Sequence, residues 1–507
     1  MIKDKLKYIP IVLVALIAAV LRLVNLGYSD YQGDEIKAFL VPDPGQNVFT
    51  FLITQRKGPL QFFVTYFLKL FDPNYTHNFF IRVPFAIAGV LAVFFFYKFV
   101  KIHFGEKVAF YASFFFATNG LFVGLTRIVQ YQSLVLLFAV LTLYFLSKSV
   151  TDPKWKITGI YLGFISWALC ILAHYDGVFI APFAFYLLIK WFLQNRRDKT
   201  SIKHLIISLV VSGLMLAAFY IPFVVAISKA TLEYWNSRLG NYNGKITSSN
   251  YLFQIYNPIY ALKIYIALFF IGLLNFRKRK FEYMALLLWV AFTILFFEGI
   301  VKVSGTHIFN YILPLTVVLG FGIVETENLL IFIFSKLKLS KKIPQIILYL
   351  SVFVIFLFLT AQTYWIFVDH SHEYPWEAKD FLIWNFNMPS TAFNLSLFGF
   401  PYYRNWEGIA AYMAKDNSHS GKKFYATNER DSITRFYLPY EKSENKAGYF
   451  VNVDNPQSFT SRTKSDKGKY WMAKYPPVYI FSNNGNEQAK IYYMEPGILD
   501  EIIARGF

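Results

Sequence analysis

The sequence predicts a polytopic α-helical membrane protein of about eleven transmembrane helices, closed by a C-terminal extracytoplasmic α/β domain. Three observations predict it. Hydrophobic residues make up 56% of 507 positions and aromatic residues 20%, far more apolar surface than a soluble domain of this size needs. Apolar segments recur along the first 368 residues, most of them approaching the roughly twenty residues a bilayer crossing requires. From about Asp369 the composition turns to Asn, Ser, Lys, Asp and Gly, and no later run could span.

The formal charge of +19 does not imply a nucleic-acid partner. Its lysines and arginines sit in short clusters between apolar segments instead of covering a solvated face. Cys170 is the single cysteine, so no intrachain disulfide forms. Lys3, Lys5 and Lys7 precede the first apolar run, whose length and internal Arg22 favour a retained anchor over a cleaved signal.

The predicted spans fall near Tyr8–Leu26, Arg82–Val100, Lys107–Leu125, Ile128–Ser147, Lys156–Ala173, Asp176–Gln194, His204–Ile227, Asn257–Asn275, Phe281–Ile300, Ile308–Glu327 and Ile346–Val368. Leu60–Phe71, about a dozen residues, is too short and reads as an interfacial helix. The positive-inside rule tests that assignment. With the amino terminus cytoplasmic and Leu60–Phe71 not crossing, the basic clusters Lys98–Lys107, Lys148–Lys156, Arg196–Lys203, Arg277–Lys280 and Lys336–Lys342 all lie inside. One extra crossing would put them all outside. The chain thus divides into a membrane domain over residues 1–368, with its first external loop at 27–81, and an extracytoplasmic domain over residues 369–507. In the latter, Trp406–Met413 reads as an amphipathic helix, and Phe424–Thr427, Phe450–Val453 and Val478–Phe481 as strands.

That topology sorts the charged residues at span ends by side. Asp30, Asp34, Glu35, Lys37, Arg56, Lys57, Arg82, Arg127, His174, Asp176, Arg238, Glu298, Lys302 and His307 all face out, from several separate loops. Ionisable groups near hydrocarbon are costly and usually mark function, so a site at the outer surface is expected. Asp34-Glu35 offers a general base, or an acidic helix start that caps the following turn. Lys57 could hold a phosphate as a point charge and Arg56 as a planar fork; both could equally anchor the interface. His174-Tyr175-Asp176 forms a tight turn, but two ligands make an incomplete metal set, so no metal or other cofactor is assigned.

The order of these features resembles the polytopic glycosyltransferases of the C-type fold, in particular protein O-mannosyltransferases, lipid A aminoarabinose transferases and related bacterial proteins of glycosyltransferase families 39 and 83. Asp34-Glu35 occupies the acidic pair after the first span, and Lys57-Gly58-Pro59-Leu60 is similar to a Lys-Pro-Pro-Leu loop. Arg82-Val83-Pro84-Phe85-Ala86, Arg127-Ile128-Val129-Gln130-Tyr131 and Tyr311-Ile312-Leu313-Pro314 are similar to later elements of that pattern. Three positions depart from it: Gly58 replaces the first proline, Asn310 an arginine, and His174 a lysine common among relatives.

The resemblance implies an inverting transfer of a sugar from a polyprenyl-phosphate carrier to an acceptor hydroxyl at the outer face of a bacterial-type plasma membrane. Asp34 and Glu35 would be the catalytic pair, with Asp34 as base. Arg56, Lys57, Arg82 and Arg127 would bind the lipid phosphate, and Asp30, His174, Asp176 and Tyr311 would line the site. Donor, acceptor and membrane lipids are then the partners. No Walker loop or dinucleotide fingerprint is present, consistent with a lipid donor. The alternatives are a transporter or flippase for lipid-linked glycans, and a noncatalytic assembly protein. A transporter calls for ionisable groups at mid-membrane, and the span centres are nearly free of them.

Overall fold

The computed structural model describes residues 8–240, 245–274, 280–338, 340, 342–377, 379–386, 397–416, 423–443, 448–457, 472 and 474–493. Among them, seven helices are long and apolar enough to cross a membrane, or nine if each of two bent pairs counts as one span. Ile9–Leu23 and Thr158–Ala173 are apolar but shorter. Each of the eleven predicted segments contains one of these helices, while length and composition support at most nine crossings.

The bends have local causes. The expected span Lys107–Leu125 is two helices, Glu106–Thr118 and Gly120–Thr126, at 60°. Asn119 is extended, and its side-chain oxygen accepts from the Leu121 N–H at 3.0 Å, capping a new helix. Gly120 lets this corner pack: a Cβ there would stand 1.9 Å from the Tyr256 carbonyl oxygen. The expected span from Asn257 is likewise preceded by Ser248–Tyr256 and bent by 112° before Ala261–Leu273. Asn257 closes this break against the other by accepting the Gly120 N–H at 2.7 Å.

At one end of the bundle, ion pairs tie the basic loops together. Lys107 Nζ donates to both oxygens of Glu327 at 2.8 Å, Lys156 pairs with Asp198 at 2.7 Å, and Lys190 with Glu282 at 3.0 Å. Arg277, Lys278 and Arg279 lie outside the described residues. At the opposite end, the first loop holds the helices Val48–Thr54 and Leu60–Lys69. The second has ten residues, about 15 Å, roughly half a hydrocarbon core. It buries Gln61, Phe62, Thr65 and Leu68 and leaves Phe63, Tyr66 and Phe67 exposed, the two-faced pattern of a helix lying in an interface.

After the long helix Lys342–Phe367 come a small hairpin, β1 (Lys379–Phe381) with β2 (Trp384–Phe386), and a four-stranded sheet. The sheet contains β3 (Tyr425–Thr427), β4 (Tyr449–Val453), β5 (Tyr479–Asn483) and β6 (Asn486–Tyr493), in the order β3-β4-β6-β5. β3 and β4 are parallel, and the other pairs antiparallel. Trp406–Lys415 and Asp431–Tyr437 are helical, and Trp406, Ile409, Met413 and Ile433 share a core with β3, β4 and β6. Backbone bonds dock this unit on the first loop: the Asp30 N–H donates to the Tyr402 carbonyl, and the Tyr31 N–H to the Tyr437 hydroxyl, both at 2.9 Å.

Candidate active site

Asp34 and Glu35 occupy one short helical turn, Gly33–Ile36, and face different surroundings. Glu35 is fully buried. Its carboxylate accepts from the Gln32 N–H (2.9 Å), the Val129 N–H (3.0 Å) and Arg82 Nε and Nη2 (both 2.8 Å). Four donors leave it no lone pair for an acceptor hydroxyl. The helix start is closed by Glu35 reaching back to Gln32, so capping does not employ the Asp34 side chain. The Asp34 side chain keeps 30% of its surface exposed and meets Arg430 Nη2 at 3.0 Å and Lys37 Nζ at 3.9 Å.

Arg82 is the buried counterpart of Glu35. Besides the carboxylate, it donates to the carbonyls of Leu26 (3.2 Å), Ser29 (2.9 Å) and Asp30 (3.0 Å). All five guanidinium N–H groups are thereby used, so the expected phosphate contact is corrected to a structural ion pair. Arg127, also expected at the phosphate, is held by backbone carbonyls instead. It donates to the carbonyls of Leu21 (3.0 Å), Val24 (2.9 Å) and Asn25 (3.3 Å), closing the end of the first helix where carbonyls lack partners.

Lys57 stands beside the Asp34 loop through one shared residue. Gln130 donates its side-chain N–H to the Asp34 carbonyl at 2.7 Å and accepts from Lys57 Nζ at 3.2 Å. Burial pushes the Lys57 ammonium down to about 8, against the raising effect of Asp34. Gly58 makes this placement sterically feasible: a Cβ there would lie 1.9 Å from the Leu172 carbonyl oxygen. The departure from a double proline thus has a physical reason, since any side chain at 58 strikes backbone. Gly58→Ala is expected to lower stability by about 1–3 kcal/mol and to displace Lys57, which thermal unfolding together with donor KM would register.

Arg56, Lys57, Asp176 and His307 border a cavity of about 440 Å³. Its walls are apolar and aromatic, from Phe179, Phe219, Tyr220, Phe223, Trp235, Phe296 and Phe297. Arg56 and Arg238 reach it around Tyr234, with their guanidinium carbons 4.2 and 5.1 Å from the ring centroid. Asp176 is 1% exposed; its Oδ2 meets His307 Nδ1 at 2.7 Å, and its Oδ1 lies 3.0 Å from His174 Nδ1. The two-residue turn seen in the sequence is therefore completed by His307, and one ligand atom from each of the three falls within 4.8 Å of the others.

Two expected lining residues lie elsewhere. Asp30 accepts from the Arg404 N–H at 2.6 Å and borders a separate cavity with Tyr28, His77 and Glu407; burial raises its carboxyl to about 7. The Tyr311 hydroxyl donates to Glu298 at 3.0 Å, and neither residue lines this cavity. Gln130 and Arg430 are not singled out by the sequence, and His307 is read there only as an outward-facing residue, not as a partner of Asp176. Gln130 stands inside a motif that is; Arg430 and His307 are joined to their partners only by the fold.

Residues 57–223 match the family model described as Dolichyl-phosphate-mannose-protein mannosyltransferase. The match bears out the resemblance carried by the motifs. No curated protein matches the chain. Among solved structures, the chain is similar to apo ArnT from Cupriavidus metallidurans, at 12% identity over 96% of this chain and 98% of that one, TM-score 0.49. It is also similar to an oligosaccharyltransferase from Archaeoglobus fulgidus, at 13% identity over 91% and 69%, TM-score 0.49. For the S. cerevisiae protein O-mannosyltransferase Pmt1-Pmt2 complex, the values are 16%, 45% and 34%, TM-score 0.33. These are distant similarities that decide nothing about the site.

Proposed function

We propose, from the premise that this chain is a membrane glycosyltransferase of the C-type fold, that it moves a sugar from a polyprenyl-phosphate carrier to an acceptor hydroxyl outside the cytoplasm. The observation that carries this reading is the aromatic cavity with Arg56, Lys57 and Arg238 at its border, joined through Gln130 to the loop of a partly exposed carboxylate, Asp34. An apolar wall suits an isoprenoid chain. The cations suit the phosphate that ends it.

In this reading the acceptor oxygen attacks the anomeric carbon from the face opposite the phosphate. As the new C–O bond forms, the bond from that carbon to the phosphate oxygen breaks and the configuration inverts. Asp34 takes the hydroxyl proton. Lys57 and Arg56 stabilise the charge that develops on the departing polyprenyl phosphate. Arg430 orients the carboxylate and brings the C-terminal unit to the reacting centre, where an acceptor would enter. Glu35 and Arg82 hold the loop in place without touching substrate.

Lys57 supplies the test. With its ammonium titrating near 8, it is charged below that pH and neutral above it. Donor KM is therefore expected to rise as pH climbs through about 8. Lys57→Arg, which stays charged, should move that rise to higher pH, and Lys57→Ala should remove the inflection. A KM profile identical in all three proteins would contradict the phosphate contact.

A further inference from the structure

We propose that His174, Asp176 and His307 form a binding site for a late first-row divalent cation, of which Zn²⁺ is the representative. Two imidazoles and one carboxylate converge there from the turn after Ala173 and the short helix Gly305–Ile308. Asp176 Oδ2 is 2.7 Å from His307 Nδ1, and Oδ1 is 3.0 Å from His174 Nδ1. Ligands about 2.0–2.2 Å from a tetrahedral ion stand roughly 3.3 Å apart. One atom from each residue already lies within 4.8 Å of the others, so an ion would open the contacts at Asp176 and draw the wider-spaced ligand atoms together.

An independent observation points to a cation. Asp176 Oδ1 is buried and has no hydrogen-bond partner. The His174 Nδ1, 3.0 Å from it, accepts the Asp176 backbone N–H at 3.2 Å, so a neutral imidazole in that tautomer turns a lone pair rather than a hydrogen toward the oxygen. Such a contact inside a protein costs free energy unless a positive charge sits in it. The surroundings are those of a supported site. Asn310 Nδ2 donates to Asp176 Oδ2 at 3.3 Å, and the His174 ring stacks on Tyr131 at 4.0 Å, fixing two of the three ligands.

The donor set selects the ion. Imidazole nitrogens with one carboxylate suit zinc and its neighbours better than magnesium or calcium, which prefer all-oxygen shells. Three protein ligands leave a fourth position open, and Asp176 and His307 both border the cavity that Lys57 borders. Resting on the function proposed above, the ion would add positive charge where the donor phosphate is held. Binding of the ion does not depend on that function.

The full chain, purified in detergent and stripped with chelator, would be dialysed against ZnCl₂ and its metal counted by mass spectrometry. One zinc per chain is expected. Asp176→Asn and His307→Ala should weaken binding by at least about 100-fold, whereas His77→Ala, at an exposed histidine outside the cluster, should bind like the native chain. If the variants do not fold, the native protein with CoCl₂ decides: a four-coordinate visible spectrum, abolished by zinc, is expected. No zinc in the native chain, equal zinc in the folded variants, or an octahedral cobalt spectrum would overturn the proposal and leave a hydrogen-bonded His-Asp-His cluster. Metal counts are read without any sugar transfer, so failure of the site and failure of the transferase function are told apart.

Discussion

Asp34→Asn is expected to lower sugar transfer by about 10²–10⁴-fold, the range associated with loss of a general base, with little change in the thermal unfolding midpoint. The amide keeps the size and a hydrogen-bonding oxygen, so the contact with Arg430 can persist in weaker form. The side chain is partly exposed and takes no part in closing the helical turn, so the fold has little to lose. Loss of kcat with an unchanged donor KM would place the defect in proton transfer rather than in donor binding.

The neighbouring acid is expected to fail in the opposite way. Glu35→Ala leaves Arg82 buried without its carboxylate, and Arg82→Ala leaves Glu35 buried with two backbone donors and no cation. Removing one member of a buried pair typically costs about 3–5 kcal/mol, so each variant should unfold at markedly lower temperature and express poorly. Whatever activity remains should follow the folded fraction. A double-mutant cycle over Glu35 and Arg82 should show strong coupling, whereas one over Asp34 and Arg82 should be close to additive in stability. A stable but inactive Glu35→Ala protein would reverse the roles assigned to the two acids.

These paired expectations also mark how far the sequence can be read. Adjacent acids after a first span point to a reacting group, but nothing local separates a base from an ion-pair partner. Arg82, 47 positions away, makes that distinction by taking Glu35. Lys57 was legible because the motif that carries it is contiguous. His307 lies 131 positions from Asp176, and Arg430 lies 396 from Asp34, so no spacing rule could join them.

The same division holds for the fold. Hydropathy over about twenty residues locates apolar segments, and each predicted one contains a helix. It cannot see that Asn119 caps a new helix in mid-segment, because a side-chain cap barely alters the apolar count. In the C-terminal unit, β3, β4 and β5 follow alternating or aromatic runs that can be read as strands. β6 begins Asn486-Glu487-Gln488, polar and partly exposed, and becomes a strand by pairing on both edges with β4 and β5.

The most direct test is consumption of donor by the purified full chain, offered a panel of radiolabelled polyprenyl-phosphate sugars with membrane extract as the source of acceptor. At least one donor should lose its label to an acceptor, with free polyprenyl phosphate released in equal amount and the transfer abolished by Asp34→Asn. A correctly folded chain that transfers none of them, or that transfers equally well with Asn at position 34, would contradict the account.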